Sequence, residues 1–331
     1  MDNFIRDKKI LFLSVSFFGY QNEIVKTLSQ KGAIVDFYDE RPSNTPLTKA
    51  LIRINRNLIA PYINKYHESI VKSTAEKNYD YVFVLKGESI SRSTIEKLKA
   101  LHANAKFIYY SWDSIVNSSQ AINYLDYFDK VLTFDPNDSK KYNVGFLPLF
   151  YISDYQKIAD LPTNKDIDLL FVGTVHGNRY ALVKIIVDFL MKLGKVSYVW
   201  MYFPAKFLYW INKFKNPDFK NANKNEFKFT PLRKDDLISL VARSKVILDM
   251  PHYRQTGLTM RTIETLGAKR KLITTNRDIT NYDFYDENNI LIIDPNNPKV
   301  PVDFITTPFK EIHREIYDKY SLSSWIDELF S

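Results

Sequence analysis

The chain has 331 residues, of which 45% are hydrophobic and 15% aromatic, and this is enough for two domains with separate cores. It has no cysteine, which excludes disulfides and thiolate metal sites. No stretch approaches the roughly 20 apolar residues of a membrane-spanning helix. The apolar run at residues 10–13 lacks a signal-peptide cleavage site, so we expect a cytoplasmic protein, or one bound peripherally at the inner face of the membrane.

The first half of the chain alternates short apolar runs with helical stretches. Strands are predicted at residues 9–15, 34–38, 81–86, 106–110 and 130–134, with a further candidate at 144–147. Helices are predicted at residues 21–30, 49–77, 91–101 and 136–142. The strands are apolar on both faces, which is typical of a parallel sheet covered by helices on both sides. We therefore predict a doubly wound α/β domain over residues 1–150.

A second α/β pattern follows a polar segment, residues 151–165, that contains Pro162 and is predicted to be a linker. Strands are predicted at residues 167–172, 196–203, 226–229, 245–249, 271–275 and 289–293. Helices are predicted at residues 178–193, 234–242, 257–268, 308–320 and 322–330. The expected fold is two Rossmann-like, doubly wound parallel-sheet domains facing a cleft. The second spans residues 166–307, and the helices in 308–331 are expected to pack back towards the first.

Residues 256–276 contain the most informative pattern, in which a glycine loop opens a short helix with an arginine and a glutamate one turn apart. A helix N-terminus offers free N–H groups and a positive dipole end, which suit a phosphate. A carboxylate further along the helix can accept hydrogen bonds from sugar hydroxyls. The pattern predicts a nucleotide-sugar site formed by Thr256, Gly257, Leu258, Thr259, Arg261 and Glu264. The alternative is an ordinary ion pair between Arg261 and Glu264 on a surface helix.

A second strand–loop–helix connection lies at residues 169–179, where Gly173, Asn178 and Arg179 are candidate donor-binding residues. Glycine lets the backbone approach a ligand closely, and an arginine at a helix N-terminus can bind a phosphate. The spacing matches neither a dinucleotide fingerprint nor a P-loop, and a tight turn with positive φ is the alternative. Because loops at the same edge of a parallel sheet lie close together, we expect both connections to bind one diphosphate.

On these residues the chain resembles glycosyltransferases of the GT-B fold, and most closely the CgeB-like group with a "glycosyl transferases group 1" type of C-terminal domain. The resemblance covers residues 168–276 and is weaker over the first domain. It implies that Glu264 binds the ribose, that the 257–259 turn meets the diphosphate, and that Arg179 and Arg261 neutralise it without a metal. The family has another glutamate where this chain has Thr256, which puts the usual retaining mechanism in doubt.

The acceptor side is expected at the carboxyl ends of strands in the first domain. Gly19, Tyr20 and Lys86 are the acceptor-side candidates there. A transferase that inverts the sugar needs a base for the acceptor hydroxyl, and the candidates are Asp113, Glu88 and His176. For each carboxylate the alternative is a helix N-cap or a surface position, and for His176 it is a plain loop residue.

The net charge of +8 is unevenly distributed. Residues 206–234 hold two acids and eight basic residues, interleaved with aromatics: Lys206, Lys213, Lys215, Lys220, Lys224, Lys228, Arg233 and Lys234. An anionic membrane surface is a candidate partner for this segment. The alternative is a solvated basic loop whose aromatics belong to the core. No nucleic-acid-binding module is recognisable, so nucleic acid is not expected as a partner.

These observations predict a metal-independent glycosyltransferase of bacterial cell-envelope polysaccharide biosynthesis, with a nucleotide sugar as donor and a surface-polysaccharide or lipid-linked acceptor. No cofactor is expected beyond the donor itself. The five histidines lack ligand spacing, and the Asp166–Asp168 pair precedes a strand, so no metal is predicted. The alternatives are a nucleotide-sugar epimerase or phosphorylase of the same architecture, a non-catalytic nucleotide- or carbohydrate-binding protein, or a basic structural protein associated with membrane or RNA.

Overall fold

A computed structural model describes residues 4–115, 121–175, 179–219, 221–251 and 256–331. The chain divides into two compact units. The first comprises Met1–Leu149, Gln255–Gly257 and Leu322–Ser331, and the second comprises Phe150–Arg254 and Leu258–Ser321.

The first unit is built on a six-stranded parallel sheet, as its apolar strands predict. Its strands are β1 (Lys9–Ser14), β2 (Ile34–Asp39), β3 (Tyr81–Leu85), β4 (Lys106–Ser111), β5 (Lys130–Thr133) and β6 (Gly145–Phe146). They lie in the order β2-β1-β3-β4-β5-β6. The first strand, β1, therefore lies inside the sheet between β2 and β3. The strand order reverses between β1 and β3, which creates a crevice at their carboxyl ends.

Helices in this unit are α1 (Tyr20–Gln30), α2 (Pro46–Asn55), α3 (Ala60–Thr74), α4 (Arg92–Leu101) and α5 (Pro136–Tyr142). The single helix predicted at residues 49–77 is wrong, because a 3₁₀ turn at Arg56–Ile59 separates α2 from α3. Pro61 occupies the first turn of α3, where its missing N–H costs nothing. A further 3₁₀ helix covers Ala121–Tyr127.

The second unit repeats the architecture. Its strands are β7 (Ile167–Thr174), β8 (Ser197–Tyr202), β9 (Phe227–Lys228), β10 (Ser244–Asp249), β11 (Lys271–Thr274) and β12 (Ile290–Ile292). All pairings are parallel, in the order β12-β11-β10-β7-β8-β9. Here the strand order reverses between β7 and β10, so these two strands border the crevice of the second sheet.

Seven helices in the described part of this unit accompany the sheet: α6 (Ser153–Ala159), α7 (Arg179–Lys192), α8 (Lys206–Lys215), α9 (Lys234–Ala242), α10 (Met260–Gly267), α11 (Val302–Thr306) and α12 (Arg314–Lys319). The segment predicted as a linker thus holds α6, whose Tyr155 and Ile158 are buried. Residues 308–313, predicted as helix, precede α12. Apolar content and periodicity gave no sign of α6, because its seven residues make barely two turns.

The final helix, α13 (Leu322–Phe330), belongs to the first unit, whereas α12 belongs to the second. Trp325 of α13 packs edge-on against Tyr110 of β4, with ring centroids 4.8 Å apart. Phe330 makes similar contacts with Tyr81 and Phe83 of β3. The end of the chain therefore covers one face of the first sheet with large, fully buried aromatic side chains.

Candidate functional site

The carboxyl end of β10 carries Asp249, at the point where the order of the second sheet reverses. Its Oδ2 atom accepts hydrogen bonds from the hydroxyls of Thr259 and Thr262, the latter at 2.9 Å. Thr259 is the N-cap of α10, and its hydroxyl accepts the Thr262 N–H at 3.1 Å. Asp249 therefore holds the N-terminus of α10 at the crevice where parallel sheets bind ligands.

Arg179 is the first residue of α7, and it lies close enough to Asp249 for the charge of that carboxylate to act on it. Its guanidinium Nη1 donates to the Thr174 carbonyl at the end of β7, at 3.0 Å. Burial lowers the pKa of Arg179, while the negative charge of Asp249 acts in the opposite direction. Asp249 is thus hydrogen-bonded to the β10–α10 connection, and its negative charge acts on Arg179 of the β7–α7 connection.

The Arg261–Glu264 pair exists, but it is buried rather than exposed on a surface helix. Arg261 Nη1 lies 2.7 Å from Glu264 Oε2, and the two side chains are 18% and 5% exposed. Tyr155 of α6 interacts with both, and burial, followed by the charge of Glu264, raises the pKa of its hydroxyl well above the usual value. A phosphate at Arg261 would have to compete with Glu264, so Arg261 is poorly suited to the diphosphate role that the resemblance implies.

Thr256 and Gly257 belong to the first unit and bind a carboxylate. The side chain of Asp135 accepts the Thr256 hydroxyl at 2.6 Å and the Gly257 N–H at 3.0 Å. A Cβ on Gly257 would lie 2.6 Å from the Phe134 ring, so close packing requires glycine here. The adjoining Leu258 is buried. The Gly257 N–H, expected to meet a diphosphate, is therefore engaged by Asp135.

Two donor-side candidates, Gly173 and Asn178, and the base candidate His176 fall in or just after β7 in the sequence. Gly173 lies inside the strand, opposite Met201 of β8, and its φ is not positive, so the interpretation as a turn glycine is wrong. His176 and Asn178 lie outside the described residues. Their predicted roles remain predictions.

On the first unit, Lys86 directly follows β3 at the reversal of the sheet. Its Nζ lies 3.9 Å from Glu88 Oε1 and 3.8 Å from Asp113 Oδ2. Lys86 and Gly87 both adopt positive φ, 78° and 66°, and a Cβ on Gly87 would lie 2.5 Å from the Tyr124 hydroxyl. A tight turn in the left-handed region thus places the ammonium group between two carboxylates.

The two carboxylates differ in their surroundings. Glu88 is neither a helix N-cap nor a surface residue, because Arg41 holds it in a buried ion pair with Nε 2.9 Å from Oε2. The side chains of Arg41 and Glu88 are 2% and 13% exposed, whereas that of Asp113 is 39% exposed. Asp113 Oδ1 accepts the N–H of Ser114 at 3.0 Å. Asp113 is therefore the more accessible base of the two.

Glu40, directly after β2, lies fully buried beside this pair. One carboxyl oxygen accepts the Glu88 N–H at 2.9 Å, and the other has no hydrogen-bond partner in the part of the chain that the structure describes. Burial, reinforced by the charge of Glu88, raises the pKa of Glu40 to about 8, although the Glu88 N–H and the cations Arg41 and Lys86 act in the opposite direction. The Glu40 carboxyl is therefore mostly protonated at neutral pH.

The loop after β1 contains the other acceptor-side candidates. Gly19 has a φ of 80° and is the N-cap of α1, which explains the glycine. Tyr20 is buried, with its ring 5.5 Å from that of Trp112. Phe17 and Phe18 are exposed and contact each other edge-on. The loop after β1 thus presents exposed aromatic rings at the carboxyl end of the first sheet.

Sequence reasoning missed several residues that organise these sites: Asp249, Tyr155, Asp135, Glu40 and Arg41. Asp249 and Glu40 stand at the ends of strands, so the rule that ligands bind at the carboxyl ends of strands could have found them. Within the described ranges, no group of three histidine or carboxylate side chains could hold a metal ion.

No protein-family model and no curated protein matches this sequence. Solved structures do match over nearly the whole chain. A trehalose-6-phosphate protein from E. coli bound with UDP-2-fluoro glucose is 12% identical, with a TM-score of 0.62, covering 98% of this chain and 99% of that one. A UDP-forming α,α-trehalose-phosphate synthase from Burkholderia xenovorans is 10% identical, with a TM-score of 0.59 and coverages of 97% and 98%.

An α-glucosyltransferase in complex with UDP and a mismatched DNA is 13% identical, with a TM-score of 0.58 and coverages of 98% and 91%. Together with the two six-stranded parallel sheets, these likenesses show that the chain has the GT-B fold. At such low identity they show the fold alone. The closer resemblance to the CgeB-like group remains a prediction.

Proposed function

We propose that the chain is a metal-independent glycosyltransferase that moves a sugar from a nucleotide sugar to a surface-polysaccharide or lipid-linked acceptor of the bacterial cell envelope. The observation that carries the proposal is that Arg179, bonded to the end of β7, and the first turn of α10, bonded to Asp249 at the end of β10, both stand at the reversal of the second sheet. A cation beside a helix N-terminus is a suitable site for a diphosphate. The UDP complexes of structures with this fold support the proposal and favour UDP as the nucleotide.

On the donor side, Arg179 and the N–H groups at the start of α10 would stabilise the diphosphate as it leaves. Glu264 would accept hydrogen bonds from the ribose hydroxyls. Arg261 would then orient Glu264 rather than bind phosphate, since the two already form a close pair. Thr259 would set the position of the N-terminus of α10 through its bond to Asp249.

On the acceptor side, Asp113 would act as the general base. The acceptor oxygen forms a bond to the anomeric carbon while the bond from that carbon to the diphosphate oxygen breaks. The electron pair of the broken bond stays on the diphosphate, and the acceptor proton passes to the Asp113 carboxylate. Lys86 would position Asp113, from which its Nζ lies 3.8 Å.

A thermal-shift screen with UDP, GDP, CDP, ADP and dTDP, and then with their sugar derivatives, tests the donor assignment. A ligand at about 100 times its Kd adds about 2.7 kcal/mol to the unfolding free energy, which is several degrees for a chain of this size. We expect UDP to raise Tm and inorganic pyrophosphate to raise it much less. Absence of stabilisation by any nucleotide at millimolar concentration would rule the proposal out.

Binding alone does not establish transfer, so the stabilising nucleotide sugar is then incubated with the protein and a glycan or lipid fraction. We expect nucleoside diphosphate to be released and the sugar to appear in the acceptor. Tight binding with no release would identify a non-catalytic nucleotide-sugar-binding protein. Change of the sugar without its transfer would identify an epimerase.

A further inference from the structure

Helix α8 presents its apolar side chains to solvent. Phe207, Trp210, Ile211 and Phe214 are 62%, 47%, 44% and 83% exposed. The opposite side is anchored by the buried Tyr209, whose hydroxyl donates to the Ala222 carbonyl at 3.2 Å. A helix on a globular protein normally turns its apolar stripe to the core. The alternative interpretation, in which the aromatics of this segment belong to the core, holds for Tyr209 but not for Phe207, Trp210 and Phe214.

Lysines border this apolar face on both sides. At about 100° per residue, the four exposed apolar side chains fall within an arc of about 100°. Lys206 and Lys213 lie along one border of that arc, and Lys215 lies along the other. Lys213 also donates to the Ala222 carbonyl at 2.6 Å, so its ammonium group stays close to the protein. The surface thus combines exposed aromatic rings with flanking positive charge.

Glu226, one of the two acidic residues in 206–234, contacts residues outside α8. Glu226 accepts a hydrogen bond from Tyr180 at 2.9 Å, caps a 3₁₀ turn and lies 3.4 Å from Lys184. Residues 206–234 contain eight basic residues and one other acid, Asp218. Lys234 pairs with Asp154 and Arg233 with Asp236, whereas the helix α8 itself carries three lysines and no acidic residue.

We propose that α8 is a docking helix for an anionic lipid bilayer. Phe207, Trp210, Ile211 and Phe214 would enter the boundary between headgroups and acyl chains, and Lys206 and Lys215 would bind lipid phosphates. Charge complementarity selects this occupant, because two copies of the helix face to face would bring their lysine borders together. Within the described ranges, no helix has the length and apolar character to cross a bilayer.

Docking would bring the donor-binding unit to a surface where lipid-linked acceptors reside, and in that respect it extends the proposed function. It does not depend on catalysis, so the two proposals can fail separately. Vesicle binding reports on α8, and nucleotide binding reports on the site at Asp249.

The test is flotation of the full chain with vesicles of phosphatidylcholine alone or with 30% phosphatidylglycerol. We expect at least tenfold tighter binding to the anionic vesicles. The triple variant Phe207→Ser/Trp210→Ser/Phe214→Ser should lose at least tenfold in affinity, and Lys206→Glu/Lys215→Glu should lose about tenfold. A matched charge control, Lys26→Glu/Lys72→Glu on exposed positions of the first unit, should bind as the unmodified protein does.

Because the replaced side chains are exposed, the variants should keep the Tm and nucleotide affinity of the unmodified protein. Failure of the unmodified protein to bind anionic vesicles would overturn the proposal, as would equal binding by the triple serine variant. Light scattering tests whether a second copy of the chain, rather than a bilayer, covers this face of α8. A dimer that becomes a monomer in the triple variant, with vesicle binding unchanged, would assign α8 to self-association and would equally overturn it.

Discussion

Asp113→Asn is expected to lower the rate of sugar transfer by about 10²–10⁴-fold, the usual contribution of a general base. The asparagine keeps the size of the side chain but cannot take the acceptor proton. Donor affinity and Tm should change little, because the Asp113 side chain is 39% exposed and its contact with Lys86 Nζ, at 3.8 Å, is long. The measurement is release of nucleoside diphosphate from the donor, alongside the Kd for that donor.

Glu88→Gln is the matched comparison, since Glu88 stands on the other side of Lys86. Its removal leaves Arg41 buried without its carboxylate, which is expected to cost about 3–5 kcal/mol of stability. The transfer rate per folded molecule should nevertheless stay within a few-fold of the original. If Asp113→Asn kept full activity and Glu88→Gln lost it in the folded fraction, Glu88 would be the base instead.

Replacement of Glu40 is expected to change how stability depends on pH. In the folded protein its pKa is raised to about 8, compared with 4.5 for an unperturbed glutamate. Between these two values the folded protein holds a proton that the unfolded chain has released, so the unfolding free energy falls as the pH rises. Each unit of difference corresponds to about 1.4 kcal/mol, so the total fall amounts to several kcal/mol.

Glu40→Gln removes this titration while keeping the shape of the protonated acid. We expect the fall in stability between pH 5 and pH 8 to be smaller in the variant by several kcal/mol, as measured by urea unfolding at four pH values. Glu76→Gln, at an exposed position, should retain the slope of the original protein. If the unfolding free energy changed with pH in the same way in the original protein and in Glu40→Gln, Glu40 would be charged in the folded state.

The strands could be predicted from the sequence, because strands buried on both faces leave a clear apolar pattern. The helices α6, α8 and α11 were not predicted. The Arg261–Glu264 pair was also predictable from its spacing. Its burial was not, because it depends on Tyr155 in α6, more than a hundred residues earlier. Local spacing determines which side chains are neighbours on one helix, whereas burial is set by elements that are distant in sequence.

Two further differences have the same origin. The Gly257 N–H donates to Asp135, which is 122 residues away in the sequence. Both residues belong to the first unit, and no local sequence pattern encodes their contact. For α8 the sequence showed basic residues interleaved with aromatics, but it could not decide which side chains meet the protein. The structure shows that Leu208 and Tyr209 pack on the core, whereas Phe207, Trp210, Ile211 and Phe214 are exposed.

The most direct test of the donor site compares the affinities of UDP and uridine for the unmodified protein and for Arg179→Ala. Because Arg179 would bind the diphosphate and not the nucleoside, we expect UDP binding to weaken by about 10–100-fold and uridine binding to stay the same. Arg243→Ala, which removes an exposed arginine paired with Asp166, is the control and should bind both ligands normally. Equal affinity of Arg179→Ala and the unmodified protein for UDP would contradict the assignment of the diphosphate to the junction of β7, β10 and α10.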